Sequence, residues 1–369
     1  MNEAGALATI RNATEADEPQ MVELLFRAFH RWPAFEIDVP AIEHLRWKMR
    51  SDPIASRHHW VSEIDGRVVA MLLAMARRVR VGGRDYLAQE GVDAAVDPRY
   101  QGAKLYSSIG EHVVTVAQNA EFDLAFWYGT NPRTSLRRGS KHRKTLANPI
   151  QVLRKPYRAR TIVARRREKY GGRLPAPLSV LRIKAEVAFN RIGHRPFWRP
   201  AKCAWSITTL ERFDERIEGF FSEAARPFDF VIVRDKNYMN WRYCDPAAAR
   251  FTVRFAEQEG RILGYLVSKV SDGEGYIVDL LALPGRIDVV RSLVEDALHF
   301  FREAGVELVT CWMISRHPYN GILRRYGFID SRRDVGFTIR PRRLAEREVE
   351  LLTDERARIH LTHGDSDWV

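Results

Sequence analysis

Between Val96 and Tyr106 the chain reads Val-Asp-Pro-Arg-Tyr-Gln-Gly-Ala-Lys-Leu-Tyr: the end of a strand, a tight turn and the opening of a helix. The first N–H groups of such a helix have no intrahelical acceptor, so the segment can hold phosphate oxygens through its backbone. Lys104 adds a point charge at that place. Carboxylates stand nearby: Glu90 and Asp93 precede the turn, and Asp279 has a similar position later in the chain. A carboxylate held beside an ammonium can take its proton. Alternation places Glu90 and Asp93 on opposite faces of a strand, so only one reaches a reacting centre unless a bulge intervenes. Each also reads as a hydrogen-bonded structural carboxylate. Tyr106 and Tyr128 can donate a proton or pack as core rings. His317, in Ser315-Arg316-His317-Pro318, fits an active-site loop or a solvated one.

These residues must be positioned by alternating strands and helices. Ala8–Arg11 reads as a strand, and Met21, Leu24, Leu25, Ala28 and Phe29 fall on one face of a helix. Asp65-Gly66 joins two strand-like runs, Trp60–Ile64 and Val68–Ala76, in a hairpin. Strands are expected at Tyr86–Val96 and Phe122–Tyr128, with a helix after Pro98 and a short one after Asn131. Residues 229–340 repeat this order. Glu259-Gly260 answers to Asp65-Gly66, and Asp279 stands five residues before Pro284 as Asp93 does before Pro98. The expected fold is α/β with a mixed sheet, in two copies of one unit. The boundaries are 1–150 for the first unit, 151–228 for an insert, 229–341 for the second unit and 342–369 for a tail.

The segment Ala95–Tyr106 resembles the acyl-CoA pyrophosphate loop of the GNAT (Gcn5-related N-acetyltransferase) superfamily, Val-x-Pro-x-x-[Gln/Arg]-x-x-Gly-x-[Gly/Ala]. Val96, Pro98 and Gln101 match, and Lys104 and Tyr106 stand in the slots of the two small residues. Arg324-Arg325-Tyr326-Gly327-Phe328 looks like the family's final Tyr-Gly-Phe element, and Tyr238–Tyr243 looks like the entry segment of tandem members. The resemblance implies two tandem GNAT-like domains. It implies acyl-CoA held by Ala95, Val96, Gln101, Gly102, Ala103, Lys104, Leu105, Tyr106 and Asn131, and no metal. It also implies attack of an amine on the thioester, with Glu90, Asp93 or Asp279 as base and Tyr106, Tyr128 or His317 as further candidates. Ser135 occupies the slot of the family's usual acidic tyrosine, and the second copy lacks a recognisable pyrophosphate loop.

The 369 residues carry a net charge of +12, and the excess lies in one place. Residues 151–202 hold fifteen Lys and Arg against Glu168 and Glu186. A helix over Leu178–Ile192 shows two apolar faces with basic flanks, which suits burial between the units or contact with an anionic membrane surface. Three cysteines without a CxxC spacing exclude a disulfide framework, and no apolar run is long enough to span a membrane. The expectation is a cytoplasmic protein, peripheral on the inner membrane in its membrane-bound form. Its sharpest functional version is long-chain acyl transfer to a lipid-like amine, a sphingoid base as in bacterial ceramide formation. Cytosolic acetylation of a small amine or amino sugar is the alternative. A non-catalytic acyl-CoA-sensing or nucleic-acid-binding protein is the third; no groove-reading helix or aromatic sheet face supports nucleic acid.

Overall fold

The computed structural model describes residues 8–50, 53–54, 58–116, 122–129, 144–157, 163, 181, 184–185, 188 and 204–368. In Val68–Ala76 two apolar sets alternate. Met71, Leu73 and Met75 belong to one hydrophobic cluster, while Val69, Ala70 and Ala74 belong to another. A strand with two apolar faces needs cover on both sides. Helices α1 (Glu18–Phe29) and α2 (Ala41–Arg50) cover the first face through Met21, Leu24, Leu25 and Leu45. Helix α3 (Leu105–Val116) covers the second through Leu105 and Ile109.

The first half contains β1 (Thr9–Asn12), β2 (Trp60–Ile64), β3 (Arg67–Val81), β4 (Arg84–Val96) and β5 (Leu124–Gly129), in that order across the sheet. The short β6 (Lys144–Thr145) follows, and then β7 (Ile150–Pro156). The second half adds β8 (Ser206–Leu210), α4 (Arg216–Ala224), β9 (Phe230–Ile232), α5 (Lys236–Tyr243), β10 (Thr252–Gln258), β11 (Arg261–Ser271), β12 (Glu274–Ala282), α6 (Ile287–Glu303), β13 (Leu308–Ile314) and α7 (Pro318–Arg325). The chain ends with β14 (Ile329–Pro341), α8 (Glu346–Thr353) and β15 (Ile359–His360). β14 joins the halves: Gly336–Pro341 pairs with β5 and its earlier residues pair with β7.

Both hairpin tips take the positive φ pair that such turns need, Asp65-Gly66 at 49° and 74° and Glu259-Gly260 at 49° and 76°. An antiparallel hairpin, a helix and a parallel strand recur as β3-β4-α3-β5 and β11-β12-α6-β13. Three limits differ from the sequence reading. Ile150–Pro156 is a strand between β13 and β14, so the stretch drawn as an insert from 151 begins inside the sheet. Ser206–Leu210 pairs with β10 and α4 packs on β11, which puts the end of that stretch in the second half. Residues 342–369 are no loose tail, since β15 lies parallel to β9 and Ile359–Ser366 is buried. The amphipathic helix expected at Leu178–Ile192 falls mostly outside the described residues. Leu181, Ala185 and Ala188 of its first apolar face are helical and exposed. No described helix is long and apolar enough to cross a membrane.

Candidate functional site

After Val96 the chain turns through a short 3-10 turn, Pro98–Tyr100, before α3 begins at Leu105. Asp97 caps that turn by accepting from the Arg99 N–H at 3.0 Å, and it also holds the guanidinium groups of Arg99 and Arg27. Its hydrogen bonds with Arg99 bring the carboxyl down to about 2 against the effect of burial. Gly102 has φ 89° and Lys104 has φ 60°. A lysine therefore keeps the left-handed backbone of the family's glycine slot, where glycine would carry no Cβ penalty. Tyr106 stands exposed in the first turn of α3.

β4 and β5 pair only from Ala88 to Glu90 against Leu124 to Phe126, and then they separate. On the other edge of β4, Val92 pairs with Leu73 and Ala95 with Met71, leaving Asp93 and Ala94 opposite Leu72 as a bulge. Asp93 has φ 44° there. A cavity of about 1450 Å³ occupies this opening. Tyr106, Ser107 and Gly110 of α3 line it on one side, and Trp32, Phe35, Lys48, Tyr276, His363 and Trp368 on the other.

Two carboxylates share one buried ammonium in that cavity. Lys48 Nζ lies 2.7 Å from Asp93 Oδ2 and 3.4 Å from Asp367 Oδ2. Trp32 Nε1 donates to the other Asp93 oxygen at 2.9 Å. Burial works against the Lys48 charge, but Asp93 and then Asp367 outweigh it and raise its pKa. Burial pushes the Asp367 carboxyl up against the pull of Lys48. One cation cannot fully compensate two acids, so this pair keeps a capacity for a proton or an ammonium.

At the bulge Asp93 meets Lys48 and lines the cavity, whereas Glu90 does not line it and feels Lys48 and Asp367 only through their charge. Glu90 is fully buried, 2.8 Å from Arg77, and burial pushes it up to about 7 against that guanidinium. Tyr128 lines the cavity, and its buried hydroxyl has no partner among the described residues. Burial holds its pKa well above the usual value, which suits a hydrogen-bond donor rather than a proton source.

Asp279 and His317 stand elsewhere. Asp279 accepts from Arg234, Tyr243, Tyr265, Thr362 and the Leu280 N–H, all within 3.2 Å. Burial alone would raise it, but Arg234 and then His360 hold it far below the usual carboxylate range, a poor proton acceptor. His317 is the buried N-cap of α7 rather than a solvated loop residue. Its Nδ1 accepts from the Tyr319 N–H at 3.2 Å, so Nε2 donates to His360 Nδ1 at 3.0 Å. Neither residue lines the cavity. Among the cofactor candidates, Ala95, Val96, Gln101, Gly102, Ala103, Lys104, Leu105 and Tyr106 form the loop and first turn, and Asn131 lies outside the described residues. No group of three or more metal-ligating side chains occurs among the described residues.

Lys48, Asp367 and His363 were not legible as site residues. Thr362-x-x-Asp365 repeats the spacing of Thr14-x-x-Asp17, and both are capping boxes. That match could have marked residues 362–365 as ordered structure.

Residues 9–142 match the family model of the acetyltransferase (GNAT) domain. No curated protein matches the sequence. Among solved structures, the chain is similar to a probable N-acyltransferase of Enterococcus faecalis V583, with TM-score 0.62, 11% identity, and coverage of 91% of this chain and 73% of that one. It is similar to a GCN5-related N-acetyltransferase of Anabaena variabilis, with TM-score 0.60, 9% identity, and coverage of 90% and 72%. It is also similar to N-myristoyltransferase of Saccharomyces cerevisiae, solved with bound myristoyl-CoA, with TM-score 0.61, 12% identity, and coverage of 91% and 80%. Residues 9–142 thus match the acetyltransferase (GNAT) domain, and the fold of the chain as a whole is similar to that of these N-acyltransferase structures.

Proposed function

We propose that the chain moves an acyl group from acyl-CoA to a primary amine across the opening between β4 and β5. The observation that carries this reading is the cavity itself, with the loop and α3 on one face of the sheet and the Asp93, Lys48 and Asp367 cluster on the other. The N–H groups at the start of α3 and the Lys104 charge suit the diphosphate. Backbone N–H groups at the bulge suit the oxyanion, and the Tyr128 hydroxyl suits the thioester sulfur or carbonyl. Asp367 takes the ammonium proton, with Asp93 holding Lys48 in place; a C–N bond then forms as the C–S bond breaks, and the second proton of the nitrogen leaves with the CoA sulfur as free thiol.

The acyl group in this reading is long, and the acceptor is lipid-like, with a sphingoid base as its sharpest form. A cavity of about 1450 Å³ walled by Phe29, Trp32, Phe35, Trp127 and Trp368 has room for more than an acetyl group. The exposed Leu181 and the basic run 151–202 favour contact with an anionic membrane surface. The yeast N-myristoyltransferase structure contains myristoyl-CoA. The recurrence of hairpin, helix and parallel strand supports reading the second half as a GNAT-like copy without a cofactor loop. Acetyl transfer to a small amine is the second reading, favoured by the match to an acetyltransferase domain.

Incubation with acyl-CoAs of graded length and candidate amines, followed through free thiol, separates these readings. Turnover rising with chain length supports long-chain transfer. A maximum at acetyl-CoA supports the second reading. Absence of both acyl-CoA binding and thiol release refutes the proposal.

A further inference from the structure

On the aromatic side of the cavity one buried cation has no carboxylate within ion-pair distance among the described residues. Lys269, on β11, is 3% exposed, and no hydrogen bond or ion pair reaches its ammonium among the described residues. Its Nζ lies 3.9 Å from the ring centroid of Phe35, 5.5 Å from that of Tyr276 and 5.9 Å from that of Phe251. Phe35 and Tyr276 line the cavity, and Lys269 stands against these rings rather than on the cavity wall itself. His363 also lines it, with its ring 5.8 Å from that of Tyr276, and its buried Nδ1 has no hydrogen-bond partner among the described residues.

Aromatic faces attract a cation by about 0.5–2 kcal/mol, whereas taking an ion out of water costs several kcal/mol. The rings therefore leave Lys269 under-compensated. Burial first, and Arg242 second, push its pKa down to about 7 against the weaker pull of Asp272 and Glu36. Lys48, by contrast, has two carboxylates within 3.4 Å. A bound anion is the simplest partner that completes the Lys269 site, and His363 stands ready to share it.

We infer that Lys269, with His363 beside it, receives an anionic oxygen group of the amine acceptor, so that the acceptor is an amine bearing a carboxylate or phosphate rather than a neutral alkylamine, and a sphingoid base qualifies only as its phosphate. The inference rests on the acyl-transfer reading: the amino end meets Asp93 and Asp367, and the acidic end meets Lys269. The recognising chemistry is shared by soluble amino acids, amino phosphates and lipids with a phosphorylated headgroup.

The test compares matched acceptors with the full chain and one acyl-CoA, read by free thiol. The pairs are propylamine with β-alanine, ethanolamine with O-phosphoethanolamine, and a long-chain amine with its monophosphate. The acidic member of at least one pair is expected to show about tenfold or higher kcat/KM than its neutral partner. Lys269→Met removes that advantage through KM, leaving the neutral partner and acyl-CoA affinity unchanged; the winning pair identifies the source. Equal use of both members of every pair, or an equal loss for both on Lys269→Met, overturns the inference. Lys269→Gln repeats the comparison should the methionine variant not fold. If no amine releases thiol, the transfer reading fails. Calorimetry with β-alanine and O-phosphoethanolamine then decides the anion site: binding lost in Lys269→Met upholds it, and no binding to the unaltered chain overturns it.

Discussion

Two clusters of the same charge pattern, one cation between two aspartates, behave in opposite ways. In the front half Lys48 stands between Asp93 and Asp367; in the back half Arg234 stands between Asp279 and Asp365, with the nearer contacts of each at 2.7 and 3.4 Å and at 3.0 and 2.9 Å. Each joins an aspartate near a β-bulge of corresponding strands, β4 and β12, to one from the last turn of the chain. Arg234 gives its carboxylates a planar fork of donors, and Tyr243, Tyr265 and Thr362 supply more. Asp279 is accordingly held low. Lys48 offers a single point charge beside a cavity, and Asp367 is pushed up. Donor count and access to the cavity, rather than the acid itself, separate a structural cluster from one able to exchange a proton.

The strongest way to break that comparison is to remove the sealed cluster's anchor. Asp279→Ala leaves Arg234 with one carboxylate and two tyrosine hydroxyls without their acceptor. The expected loss is about 3–5 kcal/mol of folding stability, read from denaturant midpoints at constant slope. A loss below about 1 kcal/mol would mean that the sealed cluster is not structural. Asp367→Asn makes the opposite case. Asp93 still compensates Lys48, so stability should hold within about 1–2 kcal/mol while thiol release falls on the order of 10²–10³-fold. Unchanged turnover would remove Asp367 from the reaction.

Acid sharpens the contrast through histidines that the fold keeps neutral. Burial first, then Lys48, brings His44 down to about 3. Burial, with charged or histidine neighbours, also lowers His317, His360 and His363. Below pH 6.5 the unfolded chain gains protons that these folded groups refuse. The stability they contribute is thus complete above pH 6.5 and is lost as pH falls towards their depressed values, by about 1.4 kcal/mol per pH unit for each group. Glu90 works the other way: its raised value means that its contribution is present below about 4.5 and is lost as pH rises through about 7. Asp367 and Asp334 are raised as Glu90 is and share its sign, but their ordinary value lies lower. The four histidines outweigh the three carboxyls, so the denaturation midpoint should fall between pH 7 and pH 5. A flat midpoint would show that the histidines are not held neutral.

Much of the scaffold was legible because its signals are local. Asp65-Gly66 and Glu259-Gly260 announce their turns, the strand periods are short, and the Val96–Leu105 loop reads from contiguous residues. The proposed acceptor side was illegible for the converse reason. Lys48 and Asp367 are 319 residues apart in sequence, and only the path of β14, α8 and β15 brings them together. Asp279 was overvalued because strand position alone does not count donors. Asp93 was legible as a candidate, but its facing depended on a bulge that alternation cannot foresee.

The smallest expected effect lies at Lys104, where the front half has the loop proposed to hold the cofactor and the back half has Pro284-Gly285-Arg286. A lysine at φ 60° costs about 1–2 kcal/mol relative to a right-handed conformation, and glycine avoids this while adding about 0.4–1 kcal/mol of unfolded-state entropy. Lys104→Gly should therefore raise stability by about 0.5–1 kcal/mol. It also removes the charge beside the helix N-terminus, so acyl-CoA should bind about two- to fivefold more weakly at low salt, a difference that shrinks as salt screens it. The two readouts move in opposite directions only if backbone and charge serve separate ends. Calorimetry with acyl-CoA at two salt concentrations, beside a denaturation curve, measures both; affinity unchanged at low salt would place the diphosphate away from this loop.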